Sequence, residues 1–231
     1  DPASLFPVHF GDKPAIMGLE GVAKVISELL GERTFDDLMM PCALTAVDLD
    51  SGQPVLLQEG RVVDAVLATV AIPGIFPPQR WGGYTLVDGG VLNPVPISAA
   101  REITPDRRLP IVAVVLSQPL DQRVNLPARK NGTGPTSTPI ILKTIARLKL
   151  TQALEIFWKS LDIGMSASTE LRLQIDAPDV IIRPKVSQIH PLARVNIAEL
   201  IEIGQQAAES ALPALQQATG WRGQLRRWGK R

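Results

Sequence analysis

Val22, Val25, Ile26, Leu29 and Leu30 recur at three- and four-residue intervals, the spacing of one apolar helix stripe, and Gly31 stands where such a helix ends. Thr34 with Asp37 three residues on resembles a capping box and predicts a short helix closed by Pro41. Residues 43–49 and 54–57 then read as strands joined by the turn Asp50-Ser51-Gly52, a hairpin expected beside the main sheet. Residues 62–70 return to a helix that Pro73 ends, and residues 76–81 and 84–87 form a second strand pair around Gly82-Gly83. A helix over 96–102 follows, its first turn tolerating Pro96. The β-branched run 111–116 is expected as a strand of a parallel sheet, buried on both faces. Beyond it come a helix over 140–161, a short strand at 180–182, and a helix from a second capping box, Asn196 with Glu199, through Leu215. Helices alternating with strands predict an α/β fold.

The pattern converges on one carboxylate. Asp88 ends the apolar run 84–87 and is followed at once by Gly89 and Gly90, which reads as a strand closing in a sharp bend. In open α/β sheets the ligand crevice lies outside the carboxyl ends of strands, so an acid there can meet substrate. Asp-Gly is equally an ordinary turn dipeptide, and the bend alone does not separate the two readings. Pro73, Pro77 and Pro78 stiffen the approach by fixing φ. Asn93 either orients the loop beyond the bend or caps the next helix, the commoner role for Asn. Asp48 and Asp50 read as turn aspartates that bond nearby amides.

Composition narrows the rest. With 231 residues, 45% hydrophobic and 20% charged, the chain suffices for one sizeable core, assigned to residues 1–220. Residues 121–139, rich in Asn, Gly, Thr, Ser and Pro, read as a flexible loop. No apolar run approaches the roughly 18 residues of a spanning helix. The single cysteine, Cys42, excludes an internal disulfide, fits a reducing compartment, and in its apolar setting reads as a small core residue. His9 and His190 have no acid or thiol at ligand spacing, so neither metal nor cofactor is expected. Lys143, Arg147, Lys149 and Lys159 flank the apolar stripe of the 140–161 helix, the pattern of a lipid-facing helix and equally of an ordinary surface one. The tail 221–231 holds five basic residues, two tryptophans and no acid, suited to anionic lipid or to plain solvation; nothing else points to nucleic acid.

The run Ala68-x-x-Ala71-Ile72-Pro73-x-x-Phe76-x-Pro78, followed by Val87-Asp88-Gly89-Gly90-Val91-x-Asn93-Pro94-x-Pro96, resembles the patatin-like phospholipases, a family of serine acyl hydrolases. The flanking sequence from about residue 18 to residue 215 looks like the later part of such a domain. The resemblance implies a three-layer α/β/α fold acting on a lipid or acyl-ester substrate, in the cytoplasm or peripherally on a membrane. It implies that Asp88 is the general base of a Ser-Asp dyad, with Gly89 and Gly90 forming the motif turn. The family's serine sits in a Gly-x-Ser-x-Gly elbow behind a glycine-rich oxyanion loop, and neither occurs in this chain. The expectation is therefore a domain truncated at its N-terminus, without its nucleophile and inactive alone. Ser166, with Gly164 two residues before it and no glycine two after, is rejected as the nucleophile. A non-catalytic regulatory or membrane-associated interaction module on the same fold is the alternative.

Overall fold

The computed structural model describes residues 18–104, 109–117, 141–186 and 195–221 and the single positions 106, 119, 223 and 227, with backbone alone over 141–155. His9, His190, the 121–139 segment and most of the tail lie outside the described residues, as do the side chains of Lys143, Arg147 and Lys149.

Helix α1 (Glu20–Leu30) ends at Gly31, whose φ of 61° suits a residue without Cβ. The capping box at Thr34 is formed: the Thr34 N–H and hydroxyl both donate to Asp37 Oδ2, at 2.8 and 2.9 Å, opening a single 3-10 turn over Phe35–Asp37. Strands β1 (Leu44–Asp48) and β2 (Pro54–Leu57) pair antiparallel, and α2 (Val62–Thr69) follows. Next come β3 (Gln79–Trp81) and β4 (Tyr84–Asp88), in a four-stranded sheet of order β2-β1-β4-β3. The first hairpin is thus not beside the sheet that delivers Asp88; β1 is hydrogen-bonded to β4 and forms part of its seat. This sheet is antiparallel throughout, because the short connections at 49–53 and 82–83 return the chain on itself. One face of it, with Ala46, Leu57 and Leu86, packs on Val62, Ala65 and Ala68 of α2 and on Phe35.

Among the described residues parallel pairing is confined to β5 (Val112–Val114) and β6 (Val180–Ile182). Ala113 and Val115 pack with Val95, with Ile97 of α3 (Ile97–Ile103) and with Leu173 of α4 (Ile141–Asp176). Val180 and Ile182 pack instead on Ala207, Ala211, Leu215 and Ala218, all on α5 (Ile197–Thr219). Helices therefore cover this small sheet from two sides, and the mixed α/β architecture is that of the expected class. The run 111–116 is not buried on both faces, since Val112 and Val114 are exposed while Ala113 is buried. Cys42 is also exposed, beside Met39 and Met40, which are exposed too. The apolar residues beside Cys42 in the chain do not bury it. Helix α4 runs 36 residues, beyond the expected end at 161. An interior glycine costs a helix only about 1 kcal/mol, too little for Gly164 to stop one anchored through Trp158 and Leu173.

Candidate functional site around Asp88

The β3–β4 hairpin turns on Gly82 and Gly83, with φ of 49° and 94°, the two positive values that a two-residue hairpin turn requires. That turn fixes the register, Trp81 opposite Tyr84 and Gln79 opposite Leu86, and so places Asp88 at the far end of β4. There Asp88 lies opposite Ala46 of β1 and its N–H donates to the Ala71 carbonyl at 3.1 Å. The backbone of Asp88 is held from both sides.

Beyond Asp88 the chain winds into a 3-10 turn, Gly89–Val91, whose N-cap is Asp88 itself: Oδ1 accepts the Gly90 N–H at 2.7 Å. The Gly89 carbonyl accepts from Leu92 and Asn93 at 3.2 and 3.0 Å, which completes the coil. Gly89 is buried against β1; a Cβ there would lie 2.5 Å from both the carbonyl oxygen and Oγ1 of Thr45. The same Thr45 carbonyl accepts the Thr69 hydroxyl of α2 at 2.7 Å. From the other side α4 approaches: Met165 Cε is 3.0 Å from where a Gly90 Cβ would stand, and the Ser168 hydroxyl donates to the Leu92 carbonyl at 2.9 Å. Burial raises the pKa of Asp88 above the ordinary carboxylate value, and the Gly90 amide, which favours the anion, opposes the shift. Among the described residues Asp88 Oδ2 has no hydrogen-bond partner.

The structure places the other expected residues as follows. Asp48 is a structural aspartate: Oδ2 accepts the Ser51 hydroxyl and N–H at 2.6 and 3.0 Å, and Oδ1 accepts the Thr85 N–H at 3.0 Å, tying the β1–β2 turn to β4. The Ser51 hydroxyl, then the Thr85 amide, hold its carboxyl below the ordinary range. Asn93 caps no helix, because α3 begins at Ile97 behind Pro96; its Oδ1 is buried without a partner among the described residues. Ser166 is buried on α4 and occupies no strand-to-helix bend. Thr45, Met165 and Ser168 belong to the surroundings of Asp88 without any signal in the sequence, since Ser168 and Leu92 are 76 positions apart. Among the described residues no cluster of three or more His, Cys, Asp or Glu gathers, and no helix is long and apolar enough to cross a membrane. A groove of about 370 Å³, lined by Arg61, Asp64, Leu67, Arg80 and Trp81, opens by the hairpin turn, away from Asp88. Its Arg61 is already paired with Glu32 at 2.9 Å and Asp64 at 3.7 Å.

Residues 7–101 match the family model described as patatin-like phospholipase. An uncharacterised NTE family protein of Mycobacterium tuberculosis is 31% identical over 91 residues, 39% of this chain and 25% of that protein, and a protein of Mycobacterium bovis with the same description aligns equally. A second uncharacterised NTE family protein of M. tuberculosis is 28% identical over 198 residues, 84% of this chain and 32% of that protein. The chain spans a quarter to a third of the length of these relatives. The match to the patatin-like phospholipase family model runs from residue 7 to residue 101 and includes Asp88.

Proposed function

We propose that the whole protein hydrolyses acyl esters of lipids, and that Asp88 is the general base of a serine-aspartate dyad. The observation that carries this reading is the presentation of Asp88. It stands at a strand end with one carboxylate oxygen fixed by the Gly90 N–H and the other unengaged among the described residues, the arrangement a proton acceptor needs. The match of residues 7–101 to a phospholipase family supports the substrate class.

No serine of this chain has glycines both two residues before and two residues after it, so the nucleophile is one carried elsewhere in the whole protein. As its oxygen attacks the ester carbonyl, its proton passes to Asp88. The tetrahedral intermediate collapses to an acyl-serine as the Asp88 carboxyl returns that proton to the departing alkoxide; the freed carboxylate then takes a proton from the water that attacks the acyl-serine and passes it to the serine oxygen as the fatty acid leaves. No metal or cofactor enters these steps.

The test is hydrolysis of a short-chain nitrophenyl ester by the full-length protein and its Asp88→Asn variant. The variant is expected to lose about 10²-fold or more in kcat/KM with its circular dichroism unchanged. Full turnover by a folded Asp88→Asn protein refutes the assignment.

A further inference from the structure

Helix α4 comes to the Asp88 turn with a specific side chain. The point a Gly90 Cβ would occupy is 3.0 Å from Met165 Cε and 3.1 Å from Asp88 Oδ1, so the thioether methyl and the carboxylate both border the space that the missing Gly90 side chain leaves. Ser168, one turn along the same helix, anchors this approach by its hydroxyl bond to the Leu92 carbonyl. Ser166 and Thr169, flanking them on α4, are buried.

We infer that Met165 is a positioning residue for the base: it closes the Asp88 turn from water on the α4 side and thereby sets how readily the carboxyl holds its proton. The inference rests on the reading of Asp88 as the base for its functional meaning, though not for its test. Charged groups on the surrounding elements are engaged elsewhere. Asp48 of β1 is held by Ser51 and Thr85, Asp64 of α2 lies beside Arg61, and Glu170 of α4 is bonded by Arg183 at 2.8 Å. Lys159 and Asp162 of α4 are exposed. Among the described residues this leaves burial and the Gly90 amide as the influences on Asp88, and the Met165 methyl is the nearest atom to the space beside Gly90 Cα. A glycine at 90 keeps the approach open, because any larger residue there would wedge the methyl away from the carboxylate.

The experiment is a carboxyl ¹³C NMR titration of Asp88 in the full-length protein, its Met165→Gln and Met165→Leu variants, and Met165→Ala in case the glutamine variant does not fold. Glutamine, polar and of similar length, and alanine, which opens the space to water, are expected to bring the Asp88 midpoint down toward the ordinary value of about 3.9, while leucine leaves it in place. An unchanged midpoint in a folded Met165→Gln or Met165→Ala protein overturns the inference. A leucine variant that shifts as far as glutamine does so as well, because the apolar character of residue 165 would then be irrelevant. The titration needs no turnover, so its outcome is independent of whether Asp88→Asn abolishes hydrolysis. If both readings hold, the acid limb of kcat/KM moves to lower pH in Met165→Gln in step with the NMR midpoint.

Discussion

Gly89 and Gly90 are adjacent, yet a methyl group would meet different things at the two. At 89 it would press on the Thr45 carbonyl and hydroxyl at 2.5 Å, and a strand carbonyl already holding the Thr69 hydroxyl cannot move aside. Gly89→Ala is expected to cost about 1–3 kcal/mol, read as a lowered melting temperature. At 90 the nearest atom is the end of a flexible methionine, so Gly90→Ala should melt closer to the parent and show its effect in the titration of Asp88 instead. A larger loss of stability at 90 than at 89 would contradict this account. Asp88 itself carries a pH signature. Its folded pKa lies above the ordinary value, so between the unfolded and folded midpoints the native state binds more protons than the unfolded chain. This group therefore favours folding at low pH, and its contribution is lost as pH rises through the raised midpoint. Asparagine keeps an acceptor for the Gly90 N–H without the buried charge. Asp88→Asn is accordingly expected to melt no lower than the parent at neutral pH, with any advantage shrinking on acidification. If Asp88 is the base proposed above, the same raised midpoint puts the acid limb of kcat/KM above the pH at which a solvated carboxylate titrates.

At the scale of elements, what was legible in the sequence was what is written locally. The β3–β4 hairpin needs only Gly82-Gly83 between two short runs, and the capping box needs only Thr34 and Asp37, so both were found. The hairpin makes its own test. Gly83, at φ 94°, should not tolerate Ala without a loss of about 1 kcal/mol or more, whereas Gly82, at φ 49°, lies in the region asparagine adopts and Gly82→Asn should be nearly neutral. Equal melting temperatures for Gly83→Ala and Gly82→Asn would mean that the turn is not what sets the register. Pairing across the chain was not legible. Nothing in residues 43–57 says that β1 will lie against β4, nor does Gly164 reveal that α4 runs on to Asp176, because the contacts that decide both come from distant residues. Hence the candidate site was half readable: Asp88 and its glycines from their motif, Thr45, Met165 and Ser168 only from the fold.

For the molecule as a whole, the charge pattern of 221–231 describes five cations alike, and the one among the described residues is not a solvated charge. Arg227 turns inward, its Nη1 3.4 Å from Asp179 Oδ1 and its Nη2 donating to the Ala218 carbonyl at 3.0 Å, with the two side chains only 11% and 12% exposed. Asp179 Oδ2 in turn accepts the Ile111 N–H at 3.0 Å, so one carboxylate joins the entry to β5, the entry to β6 and the C-terminal segment. No count of basic residues shows this, since the partner is 48 positions away. Removing one side of a sheltered pair leaves the other charge desolvated, and Arg227→Ala is expected to cost on the order of 1–3 kcal/mol. The exposed pair Arg61–Glu32 provides the contrast: its side chains are 42% and 84% exposed, and Glu32→Ala should cost under about 1 kcal/mol. Thermal melts in low and high salt separate the two. Salt should erase most of the small Glu32 effect by screening and leave the Arg227 effect largely intact. An Arg227→Ala protein that melts with the parent would return residue 227 to the solvated tail. If the expected loss is seen, deleting 221–231 removes a contact of the fold together with the tail's charge, and any change in lipid binding by the deleted protein must be judged against Arg227→Ala alone.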